Sequence, residues 1–121
     1  MFFYRRDQLP SKEMLPGITL RSVYLANTML TFFDLAPDSH IPPHKHPHEQ
    51  ISYLIKGAMT MTVGGETKLM GAGDIAVIPP NVEHEIVVGR EACVAIDAWH
   101  PIRDDYILDK QKLSPPSQTP E

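Results

Sequence analysis

The segment of residues 58–70 constrains the fold of this chain more than any other. In residues 58–63 apolar side chains alternate with threonines, and this period of two indicates a strand with one buried face. Gly64-Gly65 is a two-residue hairpin signal, and residues 66–70 return from the turn. An isolated hairpin is barely stable in water, so other strands must cover its apolar face. The segment therefore predicts a protein built from sheets.

The remainder of the chain repeats this pattern of short apolar runs separated by turns rich in Gly, Pro and Asn. No stretch shows a sustained helical period, and the count is about eight or nine strands, which predicts an all-β barrel or sandwich. The aromatic start Phe2-Phe3-Tyr4 within residues 1–16 fits an edge strand or a dimer-contact arm. The predicted strands cover residues 18–25, 29–35, 51–55, 58–63, 66–70, 75–78, 84–88 and 93–99.

Length and composition narrow the class of protein. A chain of 121 residues predicts one domain, here residues 1–108, followed by a Pro- and Ser-rich tail, residues 109–121, that we expect to be disordered. The net charge of −4 argues against a nucleic-acid partner. No apolar run approaches the roughly 20 residues of a membrane span. The single Cys93 lies in an apolar run and indicates a buried thiol in a reducing compartment, so we expect a cytoplasmic protein without a membrane partner.

Residues 44–50 concentrate three imidazoles, a carboxylate and an amide. Imidazole suits most first-row divalent metals, and strand parity predicts that His44 and His46 project from one face. His84 follows a second turn and is a further candidate ligand. The alternative is a solvated, His-rich loop. Three histidines with one more ligand would leave coordination positions open, which is typical of a catalytic metal.

The spacing of these residues forms two recognisable motifs. Residues 44–57 are H-x-H-x3-Q-x6-G, and residues 73–84 are G-x5-P-x-N-x2-H. The pair resembles the two motifs of the cupin superfamily, which implies a single-domain jelly-roll barrel (a double-stranded β-helix). Three positions depart from the usual pattern: Gln50 stands for Glu, Asn81 for Gly and Val88 for Asn. Asn81 is a mild departure, because Asn tolerates a left-handed backbone.

A narrower resemblance covers most of residues 1–107. The stretch H-K-H-P-H-E-Q at 44–50, P-P-N-V-E-H at 79–84 and the ending Asp97-x-Trp99-x-Pro101-x-Arg103-x2-Tyr106 resemble the small single-domain cupins of pectin degradation. Those proteins open 4,5-unsaturated monouronates to linear 5-keto-4-deoxyuronates. The resemblance implies a sugar-acid substrate and a divalent metal such as Zn, Ni, Mn or Fe. It implies the metal ligands His44, His46, Gln50 and His84.

The same resemblance places Asp97, Trp99 and Arg103 at the pocket. Asp97 would transfer a proton as the catalytic acid or base, the alternative being a hydrogen bond at a strand end. Arg103 would bind and act on the uronate through its planar fork, the alternative being an ion pair with Asp104 or Asp105. Trp99 is either a core residue or a wall against the sugar. The usual aromatic is Phe, so Trp99 is expected to alter the size of the pocket.

Two other functions stay open at this level. One is a metal-dependent dioxygenase, since many cupins with three histidine ligands activate oxygen. The other is a non-catalytic sugar-binding or sensory cupin. Because small cupins commonly dimerise, a homodimer is expected, and the fold alone does not choose among these chemistries.

Overall fold

A computed structural model describes residues 2–108 of the chain, so the predicted tail of residues 109–121 lies outside the described residues. The described part contains ten strands and two 3-10 helices, Arg6–Gln8 and Asp104–Tyr106. No helix in it is long and apolar enough to cross a membrane. The strands are β1 Lys12–Leu15, β2 Ile18–Tyr24, β3 Met29–Leu35, β4 His40–His44, β5 Glu49–Lys56, β6 Ala58–Val63, β7 Glu66–Gly71, β8 Ile75–Ile78, β9 His84–Val88 and β10 Cys93–His100.

The strands form two antiparallel sheets. The larger has six strands in the order β1-β2-β3-β10-β5-β8, and the smaller has four in the order β4-β9-β6-β7. Their inner faces enclose one apolar core, and the predicted all-β jelly-roll architecture is confirmed. The buried members of that core are Ile18, Leu20, Met29, Phe33, Leu35, Leu54, Met59, Met61, Met70, Ile78, Ile86, Val88, Cys93, Ala95 and Trp99.

Alternation along the strands determines which side chains enter the core. In β3 and β10 every second residue is buried, as expected where one face of a sheet packs inward. Asp97 and Trp99 lie at buried positions of β10, and the predicted inward direction of both is confirmed. Cys93 shares this face. Its thiol hydrogen-bonds the carbonyl of Ala58, and burial raises its pKa, so the predicted buried structural thiol is also confirmed.

Strand β4 was not predicted as a strand, because it contains Pro42 and Pro43. Proline cannot donate to a sheet ladder and is tolerated mainly on edge strands. The structure places β4 at an edge of the four-stranded sheet, paired only with β9, and its register shifts between Ile41 and His44. Ten strands therefore replace the predicted eight or nine.

Two turn positions require special backbone conformations. Asn81 has φ of 64°, so the left-handed conformation anticipated for it is confirmed. Gly57 has φ of +93°, and a Cβ at this position would lie 2.4 Å from the carbonyl oxygen of Ala92 and 2.7 Å from Cys93 Sγ. Only glycine fits where β5 passes into β6.

Candidate functional site

Three of the predicted metal ligands converge at one end of the barrel. One side-chain nitrogen from each of His44, His46 and His84 lies within 4.8 Å of the others. His44, the last residue of β4, lies opposite His84, the first residue of β9. Strand pairing therefore joins the two sequence motifs at their histidines.

His46 reaches this cluster by another route than the predicted one. β4 ends at His44 and β5 begins at Glu49, so His46 belongs to a loop and does not share a strand face with His44. The loop is held where the backbone N–H of Asn81 donates to the carbonyl of His46 at 2.7 Å. The expectation from strand parity was wrong, although the two rings do meet.

Backbone carbonyls fix the proton on two of the three rings. Nδ1 of His44 donates to Pro42 O and Nδ1 of His84 donates to Val82 O, both at 2.9 Å. A carbonyl oxygen only accepts, so Nε2 of each ring keeps its lone pair. Nε2 of His84 is buried and has no hydrogen-bond partner in the described part of the chain. A buried acceptor of this kind calls for a ligand, since leaving it unpaired is costly.

Burial favours the neutral form of two of these rings, those of His46 and His84. Burial lowers the pKa of His46 to about 4, and the charges of Arg103 and His84 add to the shift. Burial likewise lowers the pKa of His84. Metal ions bind the neutral imidazole, so at neutral pH no proton has to be displaced from either ring. The three histidines can hold a divalent metal ion, and their protonation and orphaned nitrogen fit that role.

Gln50, the predicted fourth ligand, stands between the histidines and Asp97. It is 5% exposed. Its Oε1 lies 3.0 Å from Nε2 of His46, and its Nε2 donates to Oδ2 of Asp97 at 2.7 Å. Two neighbouring ligands about 2.1 Å from one ion are about 3.0 Å apart when their bonds are perpendicular. The separation of His46 and Gln50 is therefore compatible with joint ligation.

Asp97 is buried beside this group. It is 3% exposed, and burial raises its pKa to about 6 against the opposing hydrogen bond from Gln50. Its second oxygen, Oδ1, has no hydrogen-bond partner among residues 2–108. Asp97 also lines a cavity shared with His44 and His84. A carboxyl group with this pKa can both hold and release a proton near neutral pH.

An aromatic wall closes the cavity on the side of the C-terminal segment. Trp99 is buried, and its indole N–H donates to Thr31 Oγ1 at 2.9 Å. Tyr106 packs edge-on against Trp99 with ring centroids 5.4 Å apart. The cavity has a volume of about 40 Å³. No role was predicted for Tyr106 from the sequence. It follows the last strand, where no periodicity indicates which way a side chain points.

Arg103 makes the ion pair that the sequence left as an alternative. Its Nε donates to Oδ1 of Asp105 at 3.2 Å and its Nη2 to Oδ2 at 2.8 Å. The guanidinium lies over the ring of Tyr106 at 4.0 Å and near that of Trp99 at 5.0 Å. Arg103 therefore lies beside the aromatic wall of the cavity, with one edge of its guanidinium bound to a carboxylate of its own chain.

A histidine cluster at one end of a two-sheet jelly roll defines a cupin. Residues 31–99 match the Cupin domain family Cupin_2, so the chain belongs to this family. It is 28% identical over 107 residues to the pectin degradation protein KdgF of Dickeya dadantii (strain 3937), covering 87% of this chain and 97% of that protein. The resemblance inferred from the motifs is thus confirmed.

Other relatives agree with this placement. The structure of KdgF from Halomonas sp. matches with a TM-score of 0.78 and 28% identity, covering 87% of this chain and 96% of that one. An RmlC-like cupin from Shewanella frigidimarina matches with a TM-score of 0.82 and 25% identity over 87% and 95% of the two chains. H2HPP isomerase of Bacillus subtilis is 35% identical over 69 residues, 56% of this chain and 29% of that protein.

Proposed function

We propose that this protein is a metal-dependent enzyme of pectin or alginate breakdown that converts 4,5-unsaturated monouronates to linear 5-keto-4-deoxyuronates. The observation that carries the proposal is the buried hydrogen bond from Gln50 to Asp97. It couples a proton-holding carboxyl group to the candidate metal ligands inside one cavity.

The reaction is an isomerisation that needs no co-reactant. The hydroxyl at C1 loses a proton, the bond from C1 to the ring oxygen breaks, and its electron pair goes to that oxygen. C1 becomes an aldehyde and C5 carries an enolate. A proton added at C4 then turns the enolate into the ketone at C5. The chemistry therefore requires one group that accepts a proton and one that donates a proton.

The residues of the site suit these requirements. A divalent ion held by His44, His46, Gln50 and His84 would supply Lewis-acid polarisation of the sugar's oxygens. Asp97 would hold the proton and deliver it at C4, because its raised pKa of about 6 lets the neutral acid persist near neutral pH. Gln50 would hold that carboxyl group in place. Its neutral amide adds no negative charge to the ligand set.

Arg103 and the aromatic residues suit substrate binding. A guanidinium binds a carboxylate through two parallel hydrogen bonds, and Arg103 already makes such a pair with a carboxylate. Trp99 and Tyr106 would pack against the sugar. One curated relative is named for pectin degradation and another is named as an isomerase, which supports an isomerisation of a uronate.

The decisive experiment follows the ultraviolet absorbance of the substrate's double bond. Metal-loaded protein should remove this absorbance faster than buffer, and Asp97→Asn and His84→Ala should each reduce the rate by at least about a hundredfold. His40→Ala is the matched control, since His40 is exposed and bonds Glu85 outside the cluster. No acceleration by metal-loaded wild type would overturn the proposal. Oxygen uptake would favour a dioxygenase, and binding without turnover that is unchanged in Asp97→Asn would favour a sensory cupin.

We also propose a homodimer. Ile51 and Tyr53 of β5 lie opposite Val77 and Ile75 of β8, and each is between 42% and 66% exposed on the outer face of the six-stranded sheet. Contiguous exposed apolar surface marks an interface. A second copy related by a twofold axis would cover this face with its own equivalent.

A further inference from the structure

The guanidinium of Arg103 is occupied by a carboxylate of the same chain. Both hydrogen bonds to Asp105 run from one edge of the guanidinium to the two carboxylate oxygens, at 3.2 and 2.8 Å. This bidentate geometry is the one by which Arg recognises a carboxylate on a ligand. The side chain of Arg103 is 15% exposed and that of Asp105 is 55% exposed. The pair thus joins a shielded cation to a largely hydrated anion.

The pair lies next to the aromatic wall of the cavity, although neither Arg103 nor Asp105 lines the cavity itself. Trp99 and Tyr106, whose rings flank the guanidinium, both line the cavity. Trp99 also packs against the ring of His46, with ring centroids 5.3 Å apart. A ligand carboxylate that reaches this wall would meet Arg103, and Asp105 already holds one of the two edges by which a guanidinium binds a carboxylate through two hydrogen bonds.

The cavity leaves little room beside this segment. Its volume of about 40 Å³ suffices for only a few water molecules. Tyr106 closes one side of it and is held by the hydroxyl of Ser22, which donates to Tyr106 O at 2.6 Å. Arg103, Asp105 and Tyr106 belong to one short segment after β10. A sugar acid must therefore displace part of this segment.

We propose that Asp105 is an internal competitor for the ligand carboxylate, which replaces it on Arg103, and that Asp105 thereby sets the affinity of the site for sugar acids. The inference rests on the proposed function, because it takes a uronate as the ligand. Displacement costs little at Asp105, since its carboxylate already contacts water and needs no new partner. A neutral sugar gains nothing from the exchange, because it has no carboxylate to offer Arg103.

The test uses full-length, metal-loaded protein and two stable sugars, D-galacturonate and D-galactose, in titration calorimetry. Asp105→Asn should tighten galacturonate binding by about three- to tenfold, in line with the modest strength of partly exposed ion pairs. The affinity of Asp105→Asn for galactose should stay within about twofold of wild type, because galactose carries no charge and has no carboxylate to bind Arg103. Asp105→Glu keeps a carboxylate and should restore weak binding.

Asp104→Asn is the matched control. Asp104 is the adjacent residue, is exposed, and makes none of the hydrogen bonds of Arg103 found in residues 2–108. It removes the same charge and should change the affinity for galacturonate by less than about twofold. Unchanged melting temperatures would show that both variants fold.

Three results would overturn the inference. If Asp105→Asn weakens galacturonate binding, Asp105 positions Arg103 and does not compete. If galactose and galacturonate tighten equally, Asp105 only restrains the segment. If neither wild type nor the variant binds galacturonate, no carboxylate exchange occurs. The proposed function fails separately, when metal-loaded wild type leaves the unsaturated uronate unchanged while Asp105→Asn still binds galacturonate more tightly.

Discussion

The side-chain amide of Gln50 on β5 donates to the carboxylate of Asp97 on the neighbouring β10, with 2.7 Å between Nε2 and Oδ2. The other end of the amide faces His46. A glutamate, the usual residue at this position of the cupin motif, has no donor for Asp97 at neutral pH. The departure at Gln50 is therefore the feature that allows a carboxyl group to lie so near the histidine cluster.

Replacing Gln50 with Glu should lower the free energy of unfolding more at alkaline pH than at acidic pH. Two carboxylates in contact repel, so above the pKa of about 6 of Asp97 one charge is buried without compensation. We expect Gln50→Glu to lose about 3–5 kcal/mol of unfolding free energy at pH 8 and much less at pH 5. Gln50→Met, the uncharged control, should lose only about 1.5–3 kcal/mol at pH 8 and less at pH 5, because it removes the hydrogen bond that favours ionised Asp97 but adds no second charge. Urea denaturation of metal-free protein measures this, and equal losses at the two pH values for Gln50→Glu would contradict it.

Removing the carboxyl group of Asp97 should steepen acid denaturation of the metal-free protein. Folding lowers the pKa of His46 from 6.5 to about 4, so the unfolded chain protonates first and stability falls as pH drops through that range. Folding raises the pKa of Asp97 from 3.8 to about 6, so this group adds stability over nearly the same drop. In Asp97→Asn that offset disappears. Melting temperatures between pH 7 and 4.5 with a chelator should fall faster than in wild type or Asp104→Asn, and parallel curves would refute the expectation.

Much of the fold could be predicted from the sequence, because one buried face per strand leaves a period of two in the residues. β6 carries that period clearly, because Met59 and Met61 are buried whereas Thr60 and Thr62 between and after them are only partly buried. β4 does not, since Pro42 and Pro43 interrupt it and only the edge position in the sheet makes the strand tolerable. Edge position depends on the order of strands in the sheet, which no local pattern records.

The candidate site, too, could be predicted only in part. The spacing of His44, His46 and His84 could be recognised from the motifs, and the structure brings the three together. The partner of Arg103 could not be selected, because Asp104 and Asp105 are adjacent and equally charged. Asp105 faces the guanidinium because Asp104–Tyr106 form a short 3-10 helix, whose backbone sets the direction of each side chain.

Gly57 should tolerate no side chain. Its positive φ strains any L residue, and a Cβ would lie 2.4 Å from the carbonyl of Ala92. We expect Gly57→Ala to lose about 3 kcal/mol or more, equal to a fall in melting temperature of more than about 10 °C. Gly65→Ala is the control, because Gly65 has a similar φ of +86° with no atom within 4 Å of the added Cβ. It should lose only about 1 kcal/mol. Calorimetry compares the two, and equal losses would show that strain alone matters.

Trp99 should set which uronate fits. Trp99→Phe shortens the wall of the cavity and removes the hydrogen bond to Thr31 Oγ1, at a cost of about 1–2 kcal/mol in unfolding free energy. We expect activity to persist while the ratio of kcat/KM for pectin-derived and alginate-derived unsaturated uronates changes by at least about threefold. Thr31→Val is the control, since it removes the hydrogen bond but leaves the indole in place. If Thr31→Val changes the ratio equally, cavity size is not the cause.

A single lysine on the outer face of the six-stranded sheet should separate the proposed homodimer. Ile75 on β8 lies opposite Tyr53 on β5 and is 61% exposed, so Ile75→Lys leaves the core intact but buries a charge wherever two copies meet. Leu69→Lys makes the same change at a residue 70% exposed on β7, in the other sheet. Light scattering coupled to size exclusion should find dimeric wild type, dimeric Leu69→Lys and monomeric Ile75→Lys. A monomeric wild type would contradict the homodimer itself, whereas a dimeric Ile75→Lys would place the contact elsewhere, with the exposed Phe2 and Phe3 as the next surface to test.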